Sequence, residues 1–380
     1  MKNNLDILHI YSGTAGSASL YLKGIYDALG VKYAQRCFVN YYCPFDFGRK
    51  IFYKFTEMSG PNYLSKIPFV RYFVRYIELF FSLFFLFFYI LFRKPKAVNY
   101  SLTSNLSLEY WFLNCVKFFT SSKLILTCHD VLPFENNFSN FEKDKANRVR
   151  FFNIADSLLV HNNNSRVELN SYFNISNEKI IEHLFPIMDL RELPIDSNKF
   201  RSSLSGNIFS FVGHMRKEKG VEALLDAWGK IDKSKNAKLY VVGNDPFGYA
   251  KNVTCGENLK VVDKFVSDID YVEIISKSNF VVLPYERGTN SGIPSSIISM
   301  GAIPIASNID MFVNNELLPR SIMFDISEPE ALENKINYFI NMTDSERLDL
   351  IDELDNRFIK YQDKFQTDIE EAYSSILENV

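Results

Sequence analysis

The feature that most restricts the folds open to this chain is a repeated pattern: a short apolar run, a glycine-bearing polar turn, then a segment with helical periodicity. It appears first at Leu5 to Tyr11, followed by SGTAGSAS (Ser12 to Ser19) and a helix with Leu20, Ile25, Ala28 and Leu29 as its inner face. It returns at Asn207 to Gly220, NIFSFVGHMRKEKG, where Gly213 ends the run Ile208 to Val212 and Val221, Leu224, Leu225 and Trp228 follow at helical spacing. Short runs that are apolar at every position read as strands buried on both faces, as in parallel sheets. Ala97–Leu102, Leu124–Thr127, Ser157–Val160, Ala237–Val242, Leu259–Val266, Phe280–Tyr285 and Ile303–Ala306 are further strand candidates. The alternation predicts an α/β chain of two doubly wound, Rossmann-like domains. With 380 residues there is enough chain for two cores, and 47% apolar against 23% charged content excludes disorder. The polar stretch Ile187 to Ser205, which contains Pro194, reads as an interdomain linker. The domains are then 1–190 and 200–360, with a C-terminal helix over about 361–380 expected to pack back on the first.

Several functions are set aside by what is missing. Gly13 and Gly16 give G-x-x-G rather than the dinucleotide fingerprint, and the next strand, Cys37 to Asn40, does not end in an acidic residue for a ribose. No GxxxxGK[ST] occurs. The five cysteines are scattered without a CxxC pair, so neither zinc nor a disulfide framework is indicated. MKNNLDILHIY lacks signal-peptide organisation, which points to a reducing, cytoplasmic compartment. Asp268-Ile269-Asp270 could be taken for a metal-binding DxD, but Ser267 with Asp270 three residues on reads as a helix cap box. No metal and no cofactor are expected.

The net charge of −3 conceals an asymmetry. Residues 1–125 hold fifteen Lys and Arg against six Asp and Glu, a balance of +9, which leaves −12 for the rest. A basic front part suits a membrane surface or a phosphate-bearing acceptor, although an unevenly solvated surface would look alike; nucleic acid is not expected. From Leu79 to Phe92 every residue but Ser82 is apolar or aromatic, with Arg71 and Arg75 before the run and Arg93, Lys94 and Lys96 after it. The run is short of the ~20 residues of a membrane span. It reads as a helix lying in the bilayer interface or as a core helix on the sheet.

Two stretches suit anions. Arg216, Lys217, Lys219 and, if protonated, His214 crowd the turn before Gly220, where free N–H groups and a helix start favour negative charge. The second lies in FVVLPYERGTNSGIPSSIISMGAIPIAS, Phe280 to Ser307: a strand, a polar loop from Glu286 to Ser291, and a helix from Gly292 to about Met300. Two such sites on neighbouring units of one sheet could hold a diphosphate together.

With these residues in place, the chain resembles the retaining nucleotide-sugar glycosyltransferases of family 4, the glycosyl transferase group 1 type, which have the GT-B fold. Gly213, Arg216, Lys219 and Gly220 match the family's G-x-x-R-x-x-K-G diphosphate turn, and PYERGTNSGIP with Gly301 and Pro304 matches a variant of its donor loop. LTCHD resembles its first-domain histidine motif, the Gly13–Gly16 loop its N-terminal glycine loop, and Asp156 its AD-strand pattern. The resemblance implies two Rossmann-like domains facing each other across a cleft. It implies that Arg216 and Lys219 neutralise the leaving diphosphate and that His129 contacts the donor sugar. Gly13, Gly16, Gly213, Asn290, Ser291 and Gly292 would serve donor binding, and backbone near Lys264 and Phe265 would flank the base. The acceptor would be a glycan or a lipid-linked molecule of bacterial surface polysaccharide synthesis. The enzyme would be cytoplasmic, with peripheral contact at the inner face of the membrane. One departure matters: the family pattern has two glutamates eight residues apart, whereas here Glu286 stands alone and position 294 is Pro. Retention needs no protein base; Asp130 acting as a base would instead give inversion. A non-catalytic sugar-nucleotide or membrane-surface binding protein is the alternative from another class.

Overall fold

The computed structural model describes residues 5–11, 17–30, 32–40, 43–45, 47, 51–54, 68–101, 106–129, 131–132, 141–196, 206–232, 236–249, 251, 253–288 and 290–378. The chain divides into two compact units, residues 1–186 with 365–380, and residues 187–364.

The first unit runs β1 (Ile7–Tyr11), α1 (Ser17–Leu29), β2 (Gln35–Asn40), β3 (Ile51–Lys54), α2 (Pro68–Arg93), β4 (Ala97–Ser101), α3 (Leu106–Phe119), β5 (Lys123–Thr127), α4 (Phe141–Ile154), β6 (Ser157–Val160), α5 (Asn163–Phe173) and β7 (Ile180–Glu182). Its seven strands lie in the order β3-β2-β1-β4-β5-β6-β7, and every pairing is parallel. All five β1 side chains are buried, the outcome expected when crossover helices cover both faces. Asp156 turns out to be structural: its carboxylate accepts the Leu124 N–H at 2.8 Å and the Lys117 ammonium at 2.5 Å, stapling β5 to β6. Asn162, in the asparagine run after β6, caps α5 by accepting the Ser165 N–H.

Helix α2 is 26 residues long, so the apolar run is only part of it. Tyr76–Arg93 is apolar enough for a span by length and composition. Nevertheless Leu79, Leu83, Leu86 and Ile90 are fixed in the core with Leu8, Ile10, Val98 and Leu124. The core-helix reading therefore holds for one face of the segment, while the other face is exposed.

The second unit runs β8 (Ile208–Val212), α6 (Val221–Lys230), β9 (Lys238–Gly243), β10 (Leu259–Asp263), α7 (Asp268–Lys277), β11 (Phe280–Leu283), α8 (Ile293–Ser299), β12 (Ile303–Ser307), α9 (Asp310–Val313), β13 (Met323–Phe324) and α10 (Ala331–Ile340); α11 (Asp344–Leu377) follows. Its strand order, β10-β9-β8-β11-β12-β13, is the Rossmann order, again all parallel. Pro304 sits in β12 without cost. Ile303 N–H bonds to Asn279 O, so the N–H that Pro304 lacks would face β13, whose pairing begins only at Ala306.

The linker reading of Ile187–Ser205 needs correction. Met188, Leu190 and Leu193 are buried, and a 3-10 turn at Leu190–Glu192 packs on α8. Residues 187–196 are thus part of the second unit, because their apolar side chains outweigh the polar look of the stretch; 197–205 lie outside the described residues.

Candidate functional site

In the second unit the site is built from the carboxyl ends of four adjacent strands, where open α/β sheets bind ligands. After β8, Gly213 turns at φ 129° over open space. Met215 is buried and its N–H bonds to Asn244 O at 2.9 Å, fixing the turn to the end of β9. The cationic residues follow. Arg216 lies 3.8 Å from Glu218, and Lys217–Lys219 form a 3-10 turn ending at Gly220 with φ 64°. A Cβ on Gly220 would lie 1.8 Å from Pro284 O, so only glycine lets the turn reach the end of β11. There Glu286 N–H bonds to Glu218 O at 3.0 Å, and Lys219 Nζ sits 3.7 Å from the centre of the Tyr285 ring. The cationic turn and the start of the loop after β11 are therefore one joined piece. Burial, with Arg216 close by, lowers the Lys219 ammonium to about 8.

Beyond Tyr285, Glu286 is exposed and Asn290 half-buried. Ser291 Oγ accepts the Ile293 N–H at 3.2 Å just before α8, whose N-cap is Gly292. Gly292 has a structural role: a Cβ there would come within 2.0 Å of Met188 Sδ. The serines that stand where the family pattern continues are also engaged. Met188 N–H donates to Ser295 Oγ (3.0 Å), Ser296 Oγ to Met188 O (3.1 Å), and Leu190 N–H to Ser299 Oγ (3.1 Å). At the end of β10, Lys264 N–H bonds to Gly243 O while its ammonium pairs with Asp270 at 2.6 Å. Phe265 beside it is 75% exposed, a free aromatic face. Ser267 and Asp270 form a capping box on α7, which commits that carboxylate to the helix rather than to a metal. Among the described residues no group of three or more His, Cys, Asp or Glu could hold a metal ion.

In the first unit Gly13, Gly16 and Asp130 lie outside the described residues. His129, half-buried, follows β5. Around it is a cluster that the sequence reading did not assemble. His129 meets Tyr21 edge-on at 4.5 Å, Tyr21 Oη lies 3.3 Å from His161 Nε2, and His161 packs on His183 at 4.6 Å. The signal was positional: His129, His161 and His183 come just after β5, β6 and β7, so parallel pairing brings them to one edge. Burial holds His161 well below the usual histidine range, and His183 down at about 4.

Residues 206–342 match the family model of Glycosyl transferases group 1. That span contains the cationic turn, the loop after β11 and the β10 end. The match lies wholly within the second unit. No curated protein matches the chain in sequence. Among solved structures, sucrose-phosphate synthase from Thermosynechococcus elongatus is similar at 16% identity and TM-score 0.68, covering 99% of this chain and 100% of its own. The catalytic domain of starch synthase IV from Arabidopsis thaliana, bound to ADP and acarbose, is similar at 11% and 0.64, covering 97% and 100%. A glycosyltransferase from Rickettsia africae is similar at 16% and 0.62, covering 100% of both chains. The fold is GT-B. With the group 1 match in its second unit, the chain is a glycosyltransferase.

Proposed function

We propose that this glycosyltransferase moves a sugar, with retention, from a nucleotide-sugar donor to a glycan or lipid-linked acceptor in bacterial surface polysaccharide synthesis. It would work in the cytoplasm, in peripheral contact with the inner face of the membrane and without a metal or cofactor. One observation carries the donor assignment: the Arg216/Lys219 turn is hydrogen-bonded to the Tyr285–Glu286 loop through Glu286 N–H and Glu218 O. Strands stand ~4.8 Å apart, so the three steps from β10 to β11 span about 14 Å. That length suits a nucleoside diphosphate, with the base near Phe265 and the phosphates over Gly213 and beside Lys219.

In this reading Arg216 and Lys219 take up the charge that grows on the leaving diphosphate, where electrostatic help lowers the barrier most. Ser291 and Gly292 support the same group, and Asn290 borders it. The bond from the anomeric carbon to the phosphate oxygen breaks as the acceptor hydroxyl oxygen bonds to that carbon, and the hydroxyl proton passes to the departing phosphate oxygen. His129 contributes a hydrogen bond to a sugar hydroxyl. The 294–299 segment spends its serines on residues 188–190, so ribose recognition by a carboxylate from α8 is not part of this account.

A thermal-shift screen with UDP, GDP and CMP sugars tests the donor assignment. A ligand at 100 times its dissociation constant should stabilise by about 2.7 kcal/mol. No shift with any of the three would count against it. NMR of the product's anomeric centre then tests retention, and an inverted centre would remove it.

A further inference from the structure

We propose that the outward face of α2, extended by the end of α3, docks on the headgroup region of an anionic phospholipid membrane, with α2 lying along the surface and not crossing it. This rests on, and deepens, the peripheral membrane contact proposed above.

The face runs from Phe73 through Phe80, Phe84 and Phe88 to Phe92, at steps of four or seven that keep one side of a helix outward. At 1.5 Å per residue it extends about 28 Å. Phe73 is 58% exposed and Phe92 78%, far from the burial such rings normally reach. Phe119 touches Phe87 at 5.9 Å and stacks edge-on with Phe118, itself 81% exposed, so the surface continues onto α3. With ~200 Å² per aromatic side chain, the patch is on the order of 1,000 Å², beyond the ~300–600 Å² of the largest patch on an ordinary monomer.

Two further facts select the occupant. The first is charge. Glu78 is the one carboxylate of α2 and Glu109 that of α3, and both are buried. Neither helix therefore turns a carboxylate of its own outward, while Arg93 and Lys94 are exposed where α2 ends. An aromatic face ending in cations is how interfacial helices meet anionic lipid. The second is anchorage. Leu79, Leu83, Leu86 and Ile90 lock the opposite face into the sheet, and crossing a bilayer would require leaving it. In a parallel crossover, α2 starts at the carboxyl edge of the strands, the edge from which His129 follows β5. A lipid-linked acceptor held in the same membrane could then enter this unit from its catalytic edge.

Flotation of the full chain with vesicles of phosphatidylcholine alone, and of equal parts phosphatidylcholine and phosphatidylglycerol, tests the inference. The native protein should float with the anionic vesicles. Phe80→Ser/Phe84→Ser/Phe88→Ser should weaken binding by about a hundredfold or more. Arg93→Glu/Lys94→Glu should weaken it by about fivefold for each charge removed, and should erase the anionic preference. Trp111 lies seven residues before Phe118 on the same α3 face, and its fluorescence in a Trp228→Phe background should be quenched by brominated phosphatidylglycerol. Circular dichroism and donor-dependent stabilisation of the same variants report folding and the glycosyltransferase site separately. Failure of the native chain to float in either case overturns the inference together with the membrane contact. Equal flotation of the serine variant overturns this surface alone. Change of the native chain from dimer to monomer on serine substitution, without vesicle binding, assigns the face to a second copy and also overturns it.

Discussion

At the scale of single residues, Lys219 offers the sharpest test. Its ammonium is buried against Tyr285, and its ordinary value is lowered to about 8. A diphosphate beside it would favour the charged form, so its value in the complex must lie above that in the free protein. Donor binding should therefore be independent of pH below about 8 and weaken above it, by up to about tenfold per unit. Calorimetry in buffers of different ionisation enthalpy should show proton uptake on binding at pH 8.5 to 9 (a range set at about half to one unit above the free value) and none at pH 6.5. Absence of uptake would separate Lys219 from the phosphates. Charge-assisted hydrogen bonds contribute ~1.5–3 kcal/mol, so Arg216→Ala or Lys219→Ala should each lower kcat/KM by about 10- to 150-fold. A double variant with near-native kcat/KM would contradict the proposal.

The buried histidines make a second prediction at this scale. His9 Nε2 lies 2.9 Å from Gln35 Oε1 and its Nδ1 3.2 Å from Asn99 Nδ2, a fully satisfied neutral ring. His183 donates Nδ1–H to Leu184 O at 2.8 Å. Burial lowers both rings to about 4, against ~6.5 unfolded. The unfolded chain therefore takes up protons first as pH falls. The stabilisation is complete above about 6.5 and is lost between about 6.5 and 4, by up to ~3 kcal/mol for each ring. Thermal melts across this window should drop steeply, and His183→Gln should flatten the drop. An unchanged pH profile would contradict the burial argument.

At the scale of elements, the serines of α8 anchor the chain rather than the ligand. Ser295→Ala/Ser299→Ala would leave the buried N–H groups of Met188 and Leu190 without acceptors, at about 1–3 kcal/mol each. Urea unfolding should show this loss, and a stable double variant would mean that water replaces the hydroxyls. These contacts also mark where sequence reading stops. The β1, β5, β8 and β11 strands were legible because short, mostly apolar runs bounded by turn residues read as strands buried on both faces. The Ser267–Asp270 box was legible because its partners are three residues apart. Met188 against Gly292 joins residues a hundred apart, and no local pattern announces it. Short, half-exposed β7 and two-residue β13 carry too few apolar positions to register. The α2 run showed its composition in the sequence, but which face was core depended on sheet register.

At the scale of the whole molecule, the first unit is discontinuous in sequence. Ile369 and Tyr373 of α11 are fully buried in it, Leu184 N–H donates to Asp368, and the Tyr33 and Ser374 hydroxyls meet at 2.8 Å. Sequence reading expected a helix over about 361–380 to return there. It missed the length of α11, 34 residues, although Ile351, Leu354, Phe358, Tyr361 and Phe365 recur at steps of three and four, a helical signal that begins well before residue 361. Deleting residues 365–380 should destabilise the first unit by several kcal/mol and lower its melting transition, since large buried side chains are lost together. The second unit should keep its nucleotide-dependent stabilisation. Calorimetry of the truncated chain would read both, and an unshifted first transition would refute the argument.

The same discontinuity sets an order of events during synthesis. Nascent chains fold domain by domain as they leave the ribosome, usually from the amino end. Here the opening 186 residues must wait for a closing segment translated after residue 364, whereas the later unit has all its parts beforehand. The back half should therefore mature first. Until then the phenylalanine-rich helix would be available to chaperones or lipid, and ribosome-arrested lengths ending before and after Phe365 should differ in protease resistance of the front half alone.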